Sequence, residues 1–251
     1  MRHCRRMRGG PWLASVFTAL AGIMVLSAGR LDAAPREAQR QAEDAGLTTP
    51  EILERFDRVQ EETATLISRF TEEKNLKLLA RPLVSRGRFL YSRPNQVRWE
   101  YEHPERKVFV VTENSYTAYY PEEKRAENLE IRKFVGKRLF RLLAVGQSSQ
   151  DLSRYYNIAR VIDGSLEGTY LLVLTPARER VRERLAVLRI WIDAGTFLPR
   201  RVAYEEPDGD STVLTFHDSQ PNVDLAASQF KVDLPSDILI SGPFNGWGLA
   251  R

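Results

Sequence analysis

The stretch that decides the fold is GRFLYSRPNQVRWEY, residues 87–101. Glycine or a large apolar residue occupies every second position, first Gly87, Phe89 and Tyr91, and then Val97, Trp99 and Tyr101. A period of two places alternate side chains on one face of a β-strand. The Arg-Pro-Asn-Gln segment between the two runs is typical of a turn. The stretch therefore predicts two antiparallel strands joined by a short turn.

The same alternation continues towards the C-terminus. Turns are predicted at His103–Arg106 and Glu113–Asn114, and the apolar positions that alternate beside them are Phe109, Val111, Tyr116, Ala118 and Tyr120. Further strands are predicted over Asn157–Asp163, Thr169–Thr175, Leu185–Asp193, Phe197–Glu205 and Ser211–Ser219, with a last one around Phe230–Val232. Because all the connections are short, these roughly eleven strands should form an antiparallel sheet.

A long helix is predicted before the sheet. It begins at Thr49-Pro50 with threonine as the N-cap and continues for about 20 residues, to Phe70. Its apolar positions are Ile52, Leu53, Phe56, Val59, Thr63, Leu66, Ile67 and Phe70. Two shorter helices are predicted within the sheet, a basic amphipathic one over Phe134–Val145 and another over Ser149–Tyr155.

These elements predict an α+β fold. A sheet of about eleven strands has to curl or split, and an amphipathic helix needs an apolar surface to cover. We therefore expect a large curled antiparallel sheet, with the N-terminal helix and the inserted helices forming a lid over a hydrophobic cavity. The sequence contains no repeat and no low-complexity linker, so one domain is the simplest organisation.

The first 34 residues differ from the rest of the chain. Four arginines precede the uncharged run Leu13–Gly29, and small residues follow as far as Ala33-Ala34-Pro35. This order predicts a secretory signal peptide, cleaved after Gly29, Ala33 or Ala34. The alternative is a retained anchor, although seventeen uncharged residues are fewer than the about 20 that a spanning helix needs. Residues 35–47 are polar and aperiodic, which predicts a flexible arm.

Removal of the signal peptide changes the charge of the protein. The whole chain has a formal net charge of +4, but residues 1–34 hold five arginines and one aspartate, which leaves 32 basic and 32 acidic residues. Net charge therefore gives no support to a nucleic-acid partner. Arginines alternate with aromatic residues around 86–99. This alternation is more typical of strands with the arginines in water and the aromatic rings buried than of a site for single-stranded nucleic acid. The single cysteine, Cys4, precedes the apolar run.

Patterns that would indicate catalysis or metal binding are scarce. The two histidines outside the signal peptide, His103 and His217, are far apart in sequence, and the sequence has no HExxH, GxSxG or phosphate-binding glycine motif. Ser228–Lys231 matches the SxxK pattern of serine enzymes only at two positions, and a hairpin turn accounts for Asp208 and Asp210 better than a calcium loop does. We therefore expect no enzymatic activity, no metal and no cofactor.

Residues 87–101 resemble the periplasmic outer-membrane lipoprotein carrier family, LolA. The family pattern has a glycine, an Arg-Pro pair, an Arg-Trp pair and a later proline, which are here Gly87, Arg93-Pro94, Arg98-Trp99 and Pro104. Other segments resemble the family in the same order: ISRFTE at 67–72, where the predicted helix ends, VVTENSYTAYYP at 110–121, LTP at 174–176 and DLAASQF at 224–230. The resemblance covers roughly Glu51 to Pro235.

The sequence departs from the family pattern at three places. The family's Ser-Asp-Gly turn is here Thr112-Glu113-Asn114, a family glutamine is Glu72, and the insertion Phe134–Val145 is unusually basic. These departures leave open whether the chain is a general carrier or a specialised member of the family.

The resemblance implies an incomplete β-barrel that buries the acyl chains of a lipoprotein and shuttles it from the inner to the outer membrane. Such a carrier domain would span residues 48–240, with a C-terminal tail at 241–251. The protein would be a periplasmic monomer, without a nucleic-acid partner. Its partners would be acylated lipoproteins or a related lipid, an inner-membrane release transporter and an outer-membrane acceptor.

The resemblance also implies roles for particular residues. Arg93 would bond to the backbone of a lid helix and hold the lid closed; the alternative is that it pairs with an acidic neighbour. The side chains expected to line the lipid cavity are Leu53, Phe56, Phe89, Tyr91, Val97, Trp99, Tyr101, Phe109, Val111, Leu139, Leu142 and Leu143. The alternative for each of them is that it packs an ordinary core.

Two other functions stay open at this stage. Proteins of this fold include envelope regulators that bind another membrane protein, and carriers dedicated to one specialised lipid. An exported enzyme is the remaining alternative, and no group of residues in the sequence supports it.

Overall fold

A twelve-stranded β-sheet dominates the computed structural model, which describes residues 46–130 and 148–241. The helices within these ranges are α1 (Thr49–Glu62), α2 (Ser149–Ser153) and α3 (Glu179–Arg182), with a 3-10 turn at Ala227–Phe230. The strands are β1 (Thr65–Asn75), β2 (Leu83–Ser92), β3 (Gln96–His103), β4 (Lys107–Val111), β5 (Ser115–Tyr120), β6 (Arg125–Glu130), β7 (Tyr156–Val161), β8 (Thr169–Pro176), β9 (Val187–Asp193), β10 (Pro199–Glu205), β11 (Ser211–Pro221) and β12 (Leu239–Ser241).

Several predicted segments lie outside the described residues. They are the signal peptide, nearly all of the arm at 35–47, the inserted helix Phe134–Val145 and the tail beyond Ser241. Among the helices that are described, none combines the length and the apolar character needed to cross a membrane.

The sheet consists of two antiparallel meanders joined at its centre. Strands β1 to β6 pair in sequence order, as do β7 to β11, and β1 pairs with β11 to connect the two halves. Strand β12 adds to the edge at β6 and is parallel to it. The two ends of the sheet, β12 and β7, are not paired with each other, so the barrel is not closed. The prediction of a large antiparallel sheet is confirmed.

The sheet curls around one cluster of buried apolar side chains. Tyr116 on β5 and Tyr156 on β7 belong to this cluster although eight strands separate them in the sheet. We call it the inner cluster, and the face that carries it the inner face. Its members are Ile52, Phe56, Leu66, Phe70, Phe89, Tyr91, Val97, Trp99, Tyr101, Phe109, Val111, Tyr116, Ala118, Leu152, Tyr156, Leu172, Leu174, Leu185, Leu188, Ile190, Ile192, Phe197, Leu198, Val202, Leu214 and Phe216.

The predicted helix of about 20 residues is wrong beyond Glu62. Helix α1 ends at Glu62, and residues 65–75 form β1, which is paired on both sides, with β2 and with β11. Leu66 and Phe70 are four positions apart, a spacing that fits one face of a helix and one face of a strand equally well. Ser68 and Glu72 are buried as well, so every second residue from 66 to 72 is buried. This period of two identifies the strand.

The start of α1 also differs from the prediction by one residue. Thr48, and not Thr49, is the N-cap, and Pro50 lies in the first turn. The backbone N–H and the hydroxyl of Thr48 both donate to the Glu51 carboxylate, at 2.7 and 2.6 Å. Glu51 is the third residue of the helix, and its carboxylate accepts from the Thr48 N–H, which has no backbone acceptor within the helix.

The predicted strand around Phe230–Val232 is wrong. Phe230 ends the 3-10 turn and is buried against Leu90, Val108 and Val110 on the outer face of the sheet. Arg98 fixes this segment, because its guanidinium donates to the carbonyls of residues 229 and 231, each at 3.2 Å. The last strand is β12, which the sequence analysis did not predict.

Gly87, the first residue of the deciding stretch, sits at an irregular point in the pairing of β2 with β3. A Cβ atom at this position would overlap the Glu100 carbonyl oxygen and approach Tyr101 Cα to 2.9 Å. Both neighbours are backbone atoms of β3, so they cannot move aside without opening the ladder. The strand pair therefore requires glycine here.

We predict that Gly87→Ala lowers the free energy of unfolding by about 3 kcal/mol, because the added methyl overpacks a paired strand. Urea unfolding followed by circular dichroism measures the change. The matched control is Gly164→Ala, since a Cβ there meets no atom within 4 Å. Equal stability of the two variants would contradict the requirement at position 87.

Candidate functional site

Helix α1 covers the inner face of the open sheet. Ile52 and Phe56 are 0% and 1% exposed and belong to the inner cluster. Leu53 and Val59 are partly buried and pack against the same cluster. The opposite side of the helix is charged, with Arg58 and Glu54 forming an exposed ion pair at 3.1 Å. The amphipathic pattern in the sequence therefore corresponds to one face on the cluster and one in water.

The Arg93 side chain reaches the C-terminal turn of α1. Its guanidinium donates to the backbone carbonyl oxygen of Glu61. Arg93 forms no ion pair within the described ranges, so the contact is with backbone and not with an acidic neighbour. Burial raises the pKa of Tyr91, and the Arg93 charge opposes that shift. The role of Arg93 in holding a lid closed stays a prediction.

Two further polar contacts hold α1 in place. In the middle of the helix, the Asp57 carboxylate accepts from the backbone N–H and the hydroxyl of Ser149, at 2.6 and 2.5 Å. This contact ties α1 to the start of α2. Before the first turn, the Arg160 guanidinium donates to the Leu47 carbonyl at 2.6 Å. The sequence analysis found neither contact, because both join residues about a hundred positions apart.

The structure brings most of the predicted cavity residues together. Those within the inner cluster are Phe56, Phe89, Tyr91, Val97, Trp99, Tyr101, Phe109 and Val111, and Leu53 packs at its border. The other three, Leu139, Leu142 and Leu143, lie outside the described residues. The members of the set that are described pack against one another under α1, and their contact with a lipid stays a prediction.

Aromatic rings form the centre of the inner cluster. Phe70 meets Trp99 and Tyr101 edge to face, with ring centroids 4.7 and 5.0 Å apart. Phe216 lies 5.7 Å from Phe89 and 6.0 Å from Trp99. The sequence analysis missed Phe70 and Phe216 as partners of this group. No local pattern in the sequence marks Phe70 as a strand residue, because the alternate positions beside it, Ser68 and Glu72, are polar and their burial is seen only in the structure.

Trp99 carries a buried donor at the centre of these rings. The residue is 3% exposed, and its Nε1 has no hydrogen-bond acceptor in the part of the chain that the structure describes. A buried N–H without a partner is costly by about 1–3 kcal/mol. A ligand that brought a carbonyl oxygen to this position would remove that cost.

A buried carboxylate lies on β1 at the far end of the inner face. Glu72 is 5% exposed, accepts from the Tyr101 hydroxyl at 3.2 Å and lies 3.6 Å from the Lys74 ammonium. Burial holds the pKa of Tyr101 well above its usual value, and the negative charge of Glu72 raises it further. Burial also raises the pKa of Tyr116 and of Tyr204. Each of these phenols is therefore harder to deprotonate in the folded protein than in the unfolded chain.

Two clefts run along one side of α1. The first, of about 400 Å³, lies between the end of α1 and the β9–β10 turn, and its lining includes Val59, Thr63, Leu198 and Phe216. The second, of about 420 Å³, lies beside the first turns of α1 and shares Val59 with the first. Because Phe216 also contacts the central rings, the first cleft reaches the inner cluster.

The β9–β10 turn that borders both clefts is tightly constrained. The Asp193 carboxylate accepts from the backbone N–H groups of Gly195 and Thr196, at 3.0 and 2.8 Å. Phe197 follows with a φ of 57°, in the left-handed region that a bulky residue rarely adopts. Its ring stacks on Tyr170 and lies under the Arg55 guanidinium of α1.

Within residues 46–130 and 148–241, no three His, Cys, Asp or Glu side chains lie close enough to bind a metal ion together.

We predict that the free energy of unfolding falls as the pH rises above about 10, the pKa of an unfolded tyrosine. The sign follows from the raised pKa of Tyr101 in the folded state: the unfolded chain loses that proton first, so alkaline pH favours unfolding. Tyr101→Phe should flatten this dependence. Urea unfolding at a series of pH values measures it, and an unchanged slope in the variant would contradict the assignment.

The sequence and the fold were each compared with known proteins. The model of the family described as outer membrane lipoprotein carrier protein LolA matches residues 61–233. No curated protein sequence matches the chain.

Solved structures with this fold share little sequence with the chain. An uncharacterized conserved protein from Thermus thermophilus is 14% identical, with a TM-score of 0.51 over 77% of this chain and 98% of that one. A chain of the Pseudomonas aeruginosa MucA/MucB complex is 14% identical, with a TM-score of 0.46 over 76% and 62%. A LolA superfamily protein from Nitrosomonas europaea is 12% identical, with a TM-score of 0.38 over 74% and 99%.

The family match begins in the last turn of α1 and runs beyond the 3-10 turn, so it includes β1 to β11 and all the aromatic rings at the centre of the inner cluster. It covers more than half of the chain. The chain therefore belongs to the outer membrane lipoprotein carrier protein LolA family.

Proposed function

We propose that this protein is a periplasmic carrier that binds the acyl chains of lipoproteins, or of a related lipid, against the inner cluster. It would take its cargo from the inner membrane and deliver it to the outer membrane. In this proposal residues 1–34 direct export and residues 48–240 form the carrier domain. Membership of the carrier family supports this class of cargo.

The observation that carries the proposal is the way α1 covers the open sheet. The helix buries Ile52 and Phe56 on the inner cluster, and hydrogen bonds from Arg93, Ser149 and Arg160 hold it at its end, middle and start. Each such hydrogen bond contributes about 1 kcal/mol, and the burial of Ile52 and Phe56 contributes roughly 3–6 kcal/mol together. An apolar ligand that covers the same surface can replace contributions of this size, so helix α1 acts as a removable cover.

An acyl chain would replace α1 on the inner face. Burial of a chain is worth roughly 0.8 kcal/mol for each CH₂ group, while lifting the helix exposes Ile52 and Phe56 to water. Taken from water, a chain of sixteen carbons would gain about 12 kcal/mol, more than the roughly 3–6 kcal/mol that exposing Ile52 and Phe56 costs. Taken from a membrane, the chain moves from one apolar environment to another and gains little, so the cost of lifting α1 would favour release of the cargo to a membrane.

The first cleft is the route by which the chain would enter. It separates the end of α1 from the β9–β10 turn, and Phe216 connects it to the central rings. The Trp99 N–H is a donor for the ester carbonyl of a bound acyl group. Binding and release need no bond to be made or broken, so the proposal includes no enzymatic step.

The contact of Arg93 with α1 exists only while the helix is in place, so it favours the closed state and the expulsion of cargo. We predict that Arg93→Leu slows the transfer of a bound fatty acid to vesicles by about fivefold, since an exposed charged hydrogen bond contributes about 1 kcal/mol. A fluorescent fatty acid and stopped-flow mixing measure the rate.

The matched control for this prediction is Arg106→Leu, because Arg106 is an exposed arginine beside another Pro-containing turn and, within the described ranges, forms no ion pair with α1. The control should transfer the fatty acid at the wild-type rate. If Arg93→Leu transferred the fatty acid as fast as the control, or faster, Arg93 would not hold α1 closed.

A release assay tests the function itself. Spheroplasts carrying newly made radiolabelled lipoproteins are incubated with the purified protein, and a heat-denatured sample is the control. We expect lipoproteins to appear in the soluble fraction, bound one to one to the protein.

No release by the folded protein would exclude a general carrier of lipoproteins. Extraction of the protein as purified from the envelope would then separate the remaining alternatives. A single co-purifying lipid would indicate a dedicated carrier, and a co-purifying membrane protein would indicate a regulator.

A further inference from the structure

The β1–β2 hairpin ends in a loop that exposes leucines to water. Leu78 is 98% exposed and Leu79 is 45% exposed, and Leu83 and Val84 at the start of β2 are 49% and 44% exposed. These are four of the eight large apolar side chains exposed among the described residues. Such a concentration on a small surface marks an interaction site. We call residues 76–86 the hairpin tip.

The hairpin tip is also basic. It contains Lys77, Arg81 and Arg86 and no acidic residue. None of these three cations pairs with a carboxylate in the described ranges. Further along β2 the pattern changes, because Arg88 binds Glu100 and Glu102 of β3, at 3.1 and 3.2 Å. Unneutralised cations therefore coincide with the exposed leucines.

The neighbouring β10–β11 turn supports the base of the hairpin tip. The Asp210 carboxylate accepts from the backbone N–H of Lys77 at 2.8 Å, and the Lys77 side chain lies over Gly209. This turn also carries Glu206 and Asp208, so it reduces the positive potential on the Lys77 side. The positive charge that remains unopposed is that of Arg81 and Arg86.

The position of the hairpin tip separates it from α1. Strand β1 begins beside Ala64, whose carbonyl accepts from the Arg93 N–H, and ends eleven residues later at the tip. Eleven strand residues span about 35 Å. Contact at the tip therefore leaves α1 and the first cleft free at the other end of the molecule.

We propose that the hairpin tip docks the protein on an anionic membrane surface. Leu78 and Leu79 enter the boundary between headgroups and acyl chains, where exposed apolar side chains lose their contact with water. Arg81 and Arg86 lie at the level of the phosphates, to which a guanidinium donates in pairs of hydrogen bonds.

A bilayer fits the hairpin tip better than a protein partner does. A stable protein interface buries about 800 Å² on each side, whereas the tip consists of eleven residues, four of which expose large apolar side chains. Binding to a lipid surface requires no complementary groove, because the bilayer offers an apolar interior to the leucines and negative charge to the arginines. Docking involves no cargo, so this proposal stands or falls separately from the proposed function.

The test places a reporter at the tip itself. In the chain that begins at Pro35, which contains no cysteine, Leu79→Cys is labelled with the environment-sensitive dye NBD and mixed with vesicles that contain phosphatidylglycerol. The matched control is Ile162→Cys, because Ile162 is 69% exposed and lies beyond the end of β7, outside the tip. We expect the emission to shift to the blue and to strengthen at position 79 only.

Two substitutions then separate the apolar contribution to vesicle binding from the electrostatic one. Leu78→Ser should weaken vesicle binding at least tenfold, while Ile162→Ser leaves it unchanged. Arg81→Gln should weaken binding about fivefold, the effect of one cation near an anionic surface. The loss should disappear at about 1 M salt, where the Debye length is about 3 Å.

Three results would overturn the proposal. One is the absence of any emission change at position 79 when lipid is saturating. Another is an equal change at positions 79 and 162, which would indicate adsorption through another part of the chain. The last is equal binding to neutral phosphatidylcholine vesicles, which would remove the role of the arginines. If the protein bound no vesicles and Leu78→Ser still impaired transfer between membranes, the tip would be a contact site for another protein and not for a membrane.

Discussion

The burial of the inner face by α1 is the constraint on which the rest of this structure depends. A twelve-stranded sheet that curls without closing leaves its inner side chains open to water. In a closed barrel the strands themselves would surround them. Among the described residues, Ile52 and Phe56 of α1 and Leu152 of α2 cover the inner cluster from outside the sheet. Helix α1 is therefore a cover that is separable in principle from the sheet beneath it.

The contacts that hold this cover are of a different kind from those beneath it. Under the helix, aromatic rings pack edge to face across four strands, and a shift of any one disturbs its neighbours. The helix adds only two fully buried side chains, Ile52 and Phe56, and a few hydrogen bonds, such as that between Asp57 and Ser149. A rigid apolar surface under a cover with fewer contacts is what the proposed reversible binding of a long apolar chain requires.

The boundary between α1 and β1 shows where local periodicity misleads. Residues 66 and 70 satisfy the helical and the strand period together, so periodicity alone extends the helix through them. Pairing with β2 and β11 decides for the strand, and β11 is distant from β1 in sequence. Phe230 is a similar case, since it packs on the outer face of β2 and β4 instead of adding a strand.

The sequence by itself determined the alternating strands, their short connections, the family resemblance and the inward positions from Phe89 to Val111, because side-chain period and turn residues are local properties. The tertiary structure alone decided where α1 ends and that Asp57 binds Ser149. It alone also decided that Glu72 is buried and that the leucines of the hairpin tip are not. Burial and partnership depend on chain segments that meet only after folding, and no local pattern contains that information.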